Sequence, residues 1–154
     1  MLVRLAQKTD KPAINELRRQ VKLFHTEGNP VFFAPGFPRE LADYLDIIFA
    51  QDNAEVVVAE LDGQVVGFAC ITYVERPGSV FRNPLQYCDI DELGVDERFR
   101  RQGIGRAMFD FIKTRAAERG FPRIELNMWE FNDGALKFYE SLGFRTYRRY
   151  MEYV

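Results

Sequence analysis

Apolar residues in the first third of the chain recur with the three-and-four spacing of helices. A short strand at residues 2–5 precedes a helix that Asp10 or Thr9 would cap, with Pro12 in its first turn. The apolar face of this helix consists of Ile14, Leu17, Val21 and Phe24. Pro38 starts a second helix, whose inward positions are Leu41, Leu45, Ile48 and Phe49. The connecting segment is rich in proline, glycine and phenylalanine, and so many aromatic residues on a loop suggest a pocket wall.

Strand-like runs dominate the middle of the chain. Residues 55–61 and 64–74 are rich in β-branched residues and flank Asp62-Gly63, which predicts a hairpin. A third strand is expected at 86–95. After it the pattern predicts a helix at 104–119, a strand at 123–128, a helix at 133–142 and a strand at 144–153.

These elements predict an α+β fold. The strand, helix and strand between residues 86 and 128 should form a right-handed parallel crossover, whereas the earlier strands are joined by hairpins. We therefore expect a mixed, mostly antiparallel sheet with helices on both faces. At 154 residues, the chain is expected to be a single domain, 1–154.

Composition narrows the class of protein. Hydrophobic residues make up 47% and charged residues 29%, as in ordinary globular proteins, and the net charge of -2 disfavours non-specific nucleic-acid binding. No run of 18 apolar residues and no signal-peptide segment is present, so we expect a cytoplasmic protein without a membrane partner. Cys70 and Cys88 lack CxxC spacing and the chain has one histidine, His25, so no metal site is expected.

Residues 95–106, VDERFRRQGIGR, carry the clearest chemical signal. A strand end leads through three arginines into Gly103-Ile104-Gly105, and a fourth arginine follows at the start of a helix. Such a turn presents backbone N–H groups to an anion. The arginines that add positive charge here are Arg98, Arg100, Arg101 and Arg106. A nucleoside-triphosphate loop would need Lys and Ser or Thr after Gly105, and a dinucleotide fingerprint would need a glycine at Met108. Both of these nucleotide readings are therefore disfavoured.

The turn resembles a known family motif. Residues 100–105, RRQGIG, fit the R/Q-x-x-G-x-G/A motif of the GCN5-related N-acetyltransferase (GNAT) superfamily. Residues 91–95, DELGV, look like the fourth strand of that family, and residues 132–144, NDGALKFYESLGF, are similar to its second conserved block. The resemblance covers roughly residues 86–145, and the element order elsewhere is compatible with the GNAT fold.

The resemblance implies a site for acetyl-coenzyme A as co-substrate, between the fourth and fifth strands. Leu93 and Val95 would bind the pantetheine chain through their backbone groups, and Asn132 and Ala135 would line the other side. The phosphate-binding residues would be Arg100, Arg101, Gln102, Gly103, Ile104, Gly105 and Arg106.

The resemblance also suggests catalytic roles. Tyr139 matches the general acid of the family, and the Val95 N–H would polarise the thioester carbonyl. Asp91 and Glu92 are the candidate general bases, through ordered water. Strand alternation places the two carboxylates on opposite faces, which favours Glu92 slightly, although a bulge in the strand would exchange them.

The expected activity is transfer of the acetyl group to a primary amine of a small molecule or peptide, by direct attack in a ternary complex. The alternatives are a non-catalytic coenzyme A-binding module, or an acyltransferase with another acyl group or a non-amine acceptor. Residues 24–37 and 75–84 are expected to recognise the acceptor. His25 is expected to have a surface or capping role, and Trp129 is expected in the core. A homodimer is plausible from the resemblance, without a derivable interface.

Overall fold

The computed structural model describes residues 1–154, which form four helices and five strands. The helices are α1 (Lys11–Gly28), α2 (Arg39–Phe49), α3 (Ile104–Glu118) and α4 (Asp133–Ser141). The strands are β1 (Leu2–Leu5), β2 (Ala54–Leu61), β3 (Gln64–Arg76), β4 (Leu85–Val95) and β5 (Ile124–Leu126). Short 3-10 turns occupy Lys8–Asp10 and Glu97–Phe99. None of the helices combines the length and apolarity needed to cross a membrane.

The strands form one sheet in the order β1-β2-β3-β4-β5. The first four strands are antiparallel to their neighbours, and β5 runs parallel to β4. This arrangement confirms the predicted mixed, mostly antiparallel sheet. The pairing of β4 with β5 covers three residues and ends at Ile90 opposite Leu126, so the remainder of β4 has no neighbour on this edge.

Two apolar clusters cover the two faces of the sheet, which confirms helices on both sides. On one face α3 contributes Ile104, Met108 and Ile112, packed against β2, β3 and β4. On the other, α1 and α2 pack against β2 and β3 through the residues Ile14, Leu17, Leu45 and Ile48. Cys70 and Cys88 are buried free thiols in opposite clusters, as expected for small hydrophobic residues.

A β-bulge at Asp91 changes the register of β4. Ile71 lies opposite Ile90, whereas Cys70 lies opposite Glu92. Asp91 is therefore an extra residue in β4, with no residue of β3 directly opposite it in the register. Asp91 bonds to Thr72 of β3, and Glu92 bonds to Arg18 of α1. Both carboxylates therefore lie on the α1 and α2 side of the sheet. The predicted placement of Asp91 and Glu92 on opposite faces is wrong, because the bulge interrupts the alternation.

The predicted strand at 144–153 is also absent. No residue from 145 to 154 takes part in a backbone hydrogen bond, and β5 is shorter than the predicted 123–128. One side-chain bond, from the Tyr147 hydroxyl to Glu125 at 2.7 Å, joins this segment to β5. A segment with a strand-like pattern forms a β-strand only when it pairs with a neighbouring strand, and residues 145–154 have no such partner within this chain.

Candidate active site

The open edge of β4 presents unpaired backbone groups. Val95 lies opposite Gly67, and the following Asp96 donates its N–H to the carbonyl of Val66 at 2.9 Å. Since backbone groups alternate between the two edges of a strand, those of Leu93 and Val95 point away from β3. They face the space where β4 and β5 separate. The Val95 carbonyl there accepts a bond from Arg100 Nε at 3.2 Å, which leaves one lone pair free.

The glycine turn leads from this edge to an uncapped helix. Gly103 has a φ of 80° and Arg101 a φ of 62°, so the chain turns through left-handed backbone conformations before α3. No side chain caps α3, and its first backbone bond runs from Ala107 N to Gly103 O at 3.0 Å. The N–H groups of residues 102–106 donate to no group of the chain. Together with the helix dipole, they form a site suited to a phosphate.

The arginine side chains at this turn differ in their contacts. Arg101 is exposed and bonded to nothing, whereas Arg106 donates to the carbonyl of Ser141 in α4 at 3.2 Å. Arg98 donates to Asp96 at 2.7 Å and so has a structural partner. Of the phosphate-binding candidates, Gln102 is exposed, whereas the side chain of Ile104 is buried in the α3 cluster and can offer only its backbone.

Gly105 has a second, structural role that its place in the motif does not reveal. A Cβ at Gly105 would lie 2.9 Å from Cζ of Phe138 in α4. The missing side chain therefore allows α4 to approach the N-terminal turn of α3. This contact holds the two helices beside one another.

α4 carries the remaining candidate residues. The Asn132 side chain accepts a bond from Ala135 N at 3.0 Å and thereby caps α4. Tyr139 is half-buried against the rings of Phe138 and Phe144, with centroid distances of 5.1 and 5.5 Å. Its hydroxyl has no hydrogen-bond partner in the chain, and burial raises the pKa of Tyr139 to about 12. It therefore stays protonated at neutral pH.

The two predicted bases have different partners. Asp91 accepts a bond from Thr72 Oγ1 at 2.6 Å and reaches solvent. Burial raises the pKa of Asp91, and the negative charge of the neighbouring Glu92 raises it further. The hydrogen bond from Thr72 lowers the pKa but does not cancel the effect of burial. The carboxylate of Glu92 accepts hydrogen bonds from the guanidinium of Arg18, from Nε at 3.0 Å and from Nη2 at 2.9 Å. Arg18 is only 3% exposed and also donates to the carbonyl of Leu41 at 2.7 Å, so it joins α1, α2 and β4.

A third carboxylate near the site was not among the predicted residues. Asp89 lies opposite Thr72 on one side and Glu125 on the other. Burial, followed by repulsion from Asp91 and Glu125, raises the pKa of Asp89 to about 6. Its signal in the sequence is its spacing of two from Asp91, which places both on one face of a regular strand. It lies where β4 and β5 are still paired, further from the opening than Asp91.

An aromatic cluster covers the α1 side of the site. The His25 ring stacks on Phe33 at 5.3 Å between centroids and meets the edge of Phe131 at 6.2 Å. Trp129 contacts Phe32 and Phe33 at 4.7 and 5.2 Å. Burial lowers the pKa of His25, whereas the charge of Glu92 opposes the shift. His25 is thus half-buried rather than at the surface, and Trp129 belongs to this cluster rather than to either core.

Comparison with known proteins identifies the family. The family model described as "Acetyltransferase (GNAT) family" matches residues 19–144. The chain belongs to the GNAT acetyltransferase family. That match extends beyond the glycine turn and the second block to include the C-terminal part of α1, all of α2 and the β2–β3 hairpin, and it confirms the family predicted from the sequence.

Solved structures of similar proteins confirm the GNAT fold. A mutant of the BH1408 protein from Bacillus halodurans has 27% identity and a TM-score of 0.96, covering 100% of this chain and 99% of its own. Aminoglycoside N-acetyltransferase AAC(6')-Iy, in complex with CoA, has 17% identity and a TM-score of 0.76, with coverage of 99% and 98%. An aminoglycoside acetyltransferase from an uncultured soil metagenomic sample, in complex with sisomicin, has 23% identity and a TM-score of 0.72, with coverage of 99% and 93%.

Proposed function

We propose that this GNAT protein transfers the acetyl group of acetyl-coenzyme A to a primary amine by direct attack in a ternary complex, with residues 1–154 acting as one domain. The observation that carries the proposal is a row of free backbone groups in two parts, the open edge of β4 at Leu93 and Val95 and the uncapped start of α3. Its donors suit an amide-containing chain that ends in phosphates. The bound CoA of AAC(6')-Iy, which shares the fold, supports this choice of ligand.

Coenzyme A would lie along this row. The pantetheine chain would bond to the backbone of Leu93 and Val95, and the pyrophosphate to the N–H groups of residues 102–106. The exposed guanidinium groups of Arg100, Arg101 and Arg106 are close enough in sequence to meet further phosphate oxygens. Asn132 and Ala135, at the start of α4, would line the opposite side.

The acceptor amine must lose a proton before it attacks. For an amine with a pKa of about 10.4, the neutral form at pH 7 costs about 4.6 kcal/mol. We assign the base role to Asp91, acting through water, because it lies at the bulge where β4 first lacks a neighbour and because it reaches solvent. Glu92 is held by Arg18 with both oxygens, so we assign it to positioning rather than proton transfer.

Tyr139 would complete the transfer. The amine nitrogen forms a bond to the thioester carbon while the carbonyl oxygen takes up charge near the Val95 N–H. The carbon–sulfur bond then breaks, and the Tyr139 hydroxyl supplies a proton to the leaving thiolate. The nitrogen loses its second proton to water, and water returns a proton to Tyr139. A hydroxyl that is free of protein partners and protonated at neutral pH suits this role.

A small-molecule amine is the acceptor class that we favour. Asp89 and Asp91 lie on one face of the sheet and neither is bonded to a basic side chain, so they would attract a cation before it is deprotonated. Because a neighbour of the same fold carries sisomicin, aminoglycoside amines belong in the test panel beside polyamines, simple amines and peptides.

The test measures thiol release from acetyl-coenzyme A with the amine panel, together with coenzyme affinity by calorimetry. Tyr139→Phe should lower kcat roughly a hundredfold, within the usual contribution of a general acid, while coenzyme affinity stays within about twofold. Tyr153→Phe, which changes a fully exposed tyrosine, is the matched control.

Each alternative has its own outcome in this test. Tight coenzyme binding without turnover of any amine would favour a non-catalytic binding module. Turnover with a longer acyl group or a hydroxyl acceptor alone would favour a different acyltransferase. Unchanged kcat in Tyr139→Phe would remove that residue from the mechanism.

A further inference from the structure

Six aromatic rings form one cluster on the α1 side of the proposed active site. They come from the end of α1, the connection between α1 and α2 and the loop that follows β5, and are here called the aromatic cluster: Phe24, His25, Phe32, Phe33, Trp129 and Phe131. None of the six is buried in either core, and Phe32 is 67% exposed. A large apolar surface that the fold leaves open is typical of a binding site.

Close packing between segments that are distant in the sequence holds the aromatic cluster together. A Cβ at Gly28 would overlap the ring of Phe131, so the last turn of α1 accepts that ring only because Gly28 has no side chain. Phe131 lies nearly parallel to Trp129, with an interplanar angle of 23°, and Trp129 contacts Phe32 at 4.7 Å between centroids. The loop after β5 is thereby joined to the connection between α1 and α2.

α1 carries the aromatic cluster to the open end of β4. Arg18 bonds to Glu92, and a Cβ at Gly94 would lie 2.7 Å from Cγ2 of Val21, so α1 runs along β4 in the same direction. His25 follows Val21 by about one helical turn. The aromatic cluster therefore lies beside the part of β4 that has no neighbour on its β5 edge.

The aromatic cluster and the proposed base share one face of the sheet. Asp91 bonds to Thr72 on the α1 and α2 side, whereas α3, whose first turn would hold the phosphates, packs on the other face. Burial lowers the pKa of His25, and the charge of Glu92, the neighbour of Asp91, opposes this shift, so the two sites are a short distance apart. An acceptor can thus approach from the α1 side while the coenzyme binds from the α3 side.

A cation of the chain already contacts the aromatic cluster. Lys22 Nζ lies 5.6 Å from the centroid of Phe33, and Lys22 donates to Thr26 and to the carbonyl of Ala34 rather than to a carboxylate. A second ammonium group, as in a polyamine or an aminoglycoside, would be repelled there by Lys22. The ring surface that remains suits a neutral aromatic group, which can stack on it in an offset or edge-to-face arrangement.

We propose that the acceptor is a primary amine joined by a short chain to an aromatic ring, and that this ring binds on the aromatic cluster while the amine faces Asp91. The inference rests on the proposed acetyl transfer and narrows its acceptor class. The transfer step is unchanged, because the acetyl group moves from sulfur to nitrogen and the ring takes no part. Phe32 and Trp129 then determine specificity, since an aliphatic amine lacks the ring contacts that they offer.

Thiol release with 2-phenylethylamine, n-butylamine and spermidine tests this preference, with kcat/KM compared at equal concentrations of neutral amine. The value for 2-phenylethylamine should exceed the other two by about tenfold or more. Phe32→Ala removes an exposed ring and should lower the ratio of 2-phenylethylamine to n-butylamine about fivefold. Tyr153→Ala, which removes a fully exposed ring outside the aromatic cluster, is the matched control and should leave the ratio unchanged. A larger loss in Phe81→Ala, in the loop between β3 and β4, would place the ring elsewhere and overturn the inference.

Tryptophan fluorescence provides a second readout that needs no turnover, because Trp129 is the only tryptophan of the chain. With coenzyme A present, 2-phenylethylamine should change the emission of Trp129 in a saturable way, whereas n-butylamine at the same concentrations should not. Unaltered emission, or equal kcat/KM for all three amines, would overturn this inference and leave the acetyl transfer standing. Absence of turnover with every amine would instead overturn the acetyl transfer, and the emission of Trp129 would then decide whether the aromatic cluster binds ring-bearing amines.

Discussion

The hydroxyl of Thr72 should set the pH at which this protein loses activity. Thr72 Oγ1 donates a hydrogen bond to Asp91 at 2.6 Å. This bond lowers the pKa of Asp91, whereas burial raises it. Thr72→Val keeps the β-branched shape and removes the donor. The ionised carboxylate is then less stable, so the pKa of Asp91 rises further. A base acts only when deprotonated, so activity is lost as pH falls through its pKa, and a higher pKa moves that loss to higher pH.

The size of the effect follows from the bond that is removed. A hydrogen bond to a charged group contributes about 1.5–3 kcal/mol, and the lower value applies because Asp91 reaches solvent. About 1.4 kcal/mol corresponds to a factor of ten. On the acid limb, kcat/KM of Thr72→Val should therefore be about tenfold below wild type, whereas the plateau values should agree.

The assay is thiol release across the acid pH range, reported as the ratio of the variant to wild type at each pH. This ratio cancels the ionisation of the acceptor amine, which is the same for both proteins. Thr72→Ser, which retains the hydroxyl, should follow wild type. A ratio that is constant over the whole range would refute the assignment of Asp91 as the base.

Two further predictions concern stability. Gly94→Ala introduces a Cβ 2.7 Å from Phe68 Cε1 and should lower the free energy of unfolding by about 1–3 kcal/mol in urea titrations, whereas Gly134→Ala, with no contact inside 3.9 Å, should not destabilise the protein. A loss no greater in Gly94→Ala than in Gly134→Ala would contradict the packing argument. Burial raises the pKa of Glu55, but its hydrogen bonds, with that from Arg115 the strongest, outweigh burial and lower it. The ionised Glu55 therefore stabilises the fold at neutral pH, and this stabilisation is lost as the pH falls through the lowered pKa. Glu55→Gln should lower the free energy of unfolding by about 1–3 kcal/mol at pH 7 and by little in strong acid. An equal cost at both pH values would mean that the charge of Glu55 is not what stabilises the fold.

Helical spacing, hairpin turns and glycine stops predicted most of the elements, because each depends on neighbours in the chain. The spacing of Ile14, Leu17 and Val21 sufficed for α1, and Asp62-Gly63 for the β2–β3 hairpin. The turn before α3 was also readable, since backbone N–H groups at a helix start need no distant partner.

Features that depend on distant partners could not be read in this way. The bulge at Asp91 is a property of the register between β3 and β4, and no glycine marks it. The ion pair between Arg18 and Glu92 joins residues that lie 74 positions apart in the sequence. The strand predicted at 144–153 does not form for a related reason. The sequence of a segment indicates that it can pair as a strand, but it does not identify the strand with which it pairs.

Detection of the acetylated amine itself is the most direct test of acetyl transfer by this protein. Wild-type protein, acetyl-coenzyme A and each amine of the panel would be analysed by mass spectrometry for the product amine, with free coenzyme A quantified in the same sample. One acetylated amine should form for each coenzyme A released, and Tyr139→Phe should give about a hundredfold less of both at unchanged coenzyme affinity. Release of coenzyme A without an acetylated amine, or equal product from Tyr139→Phe, would contradict this mechanism.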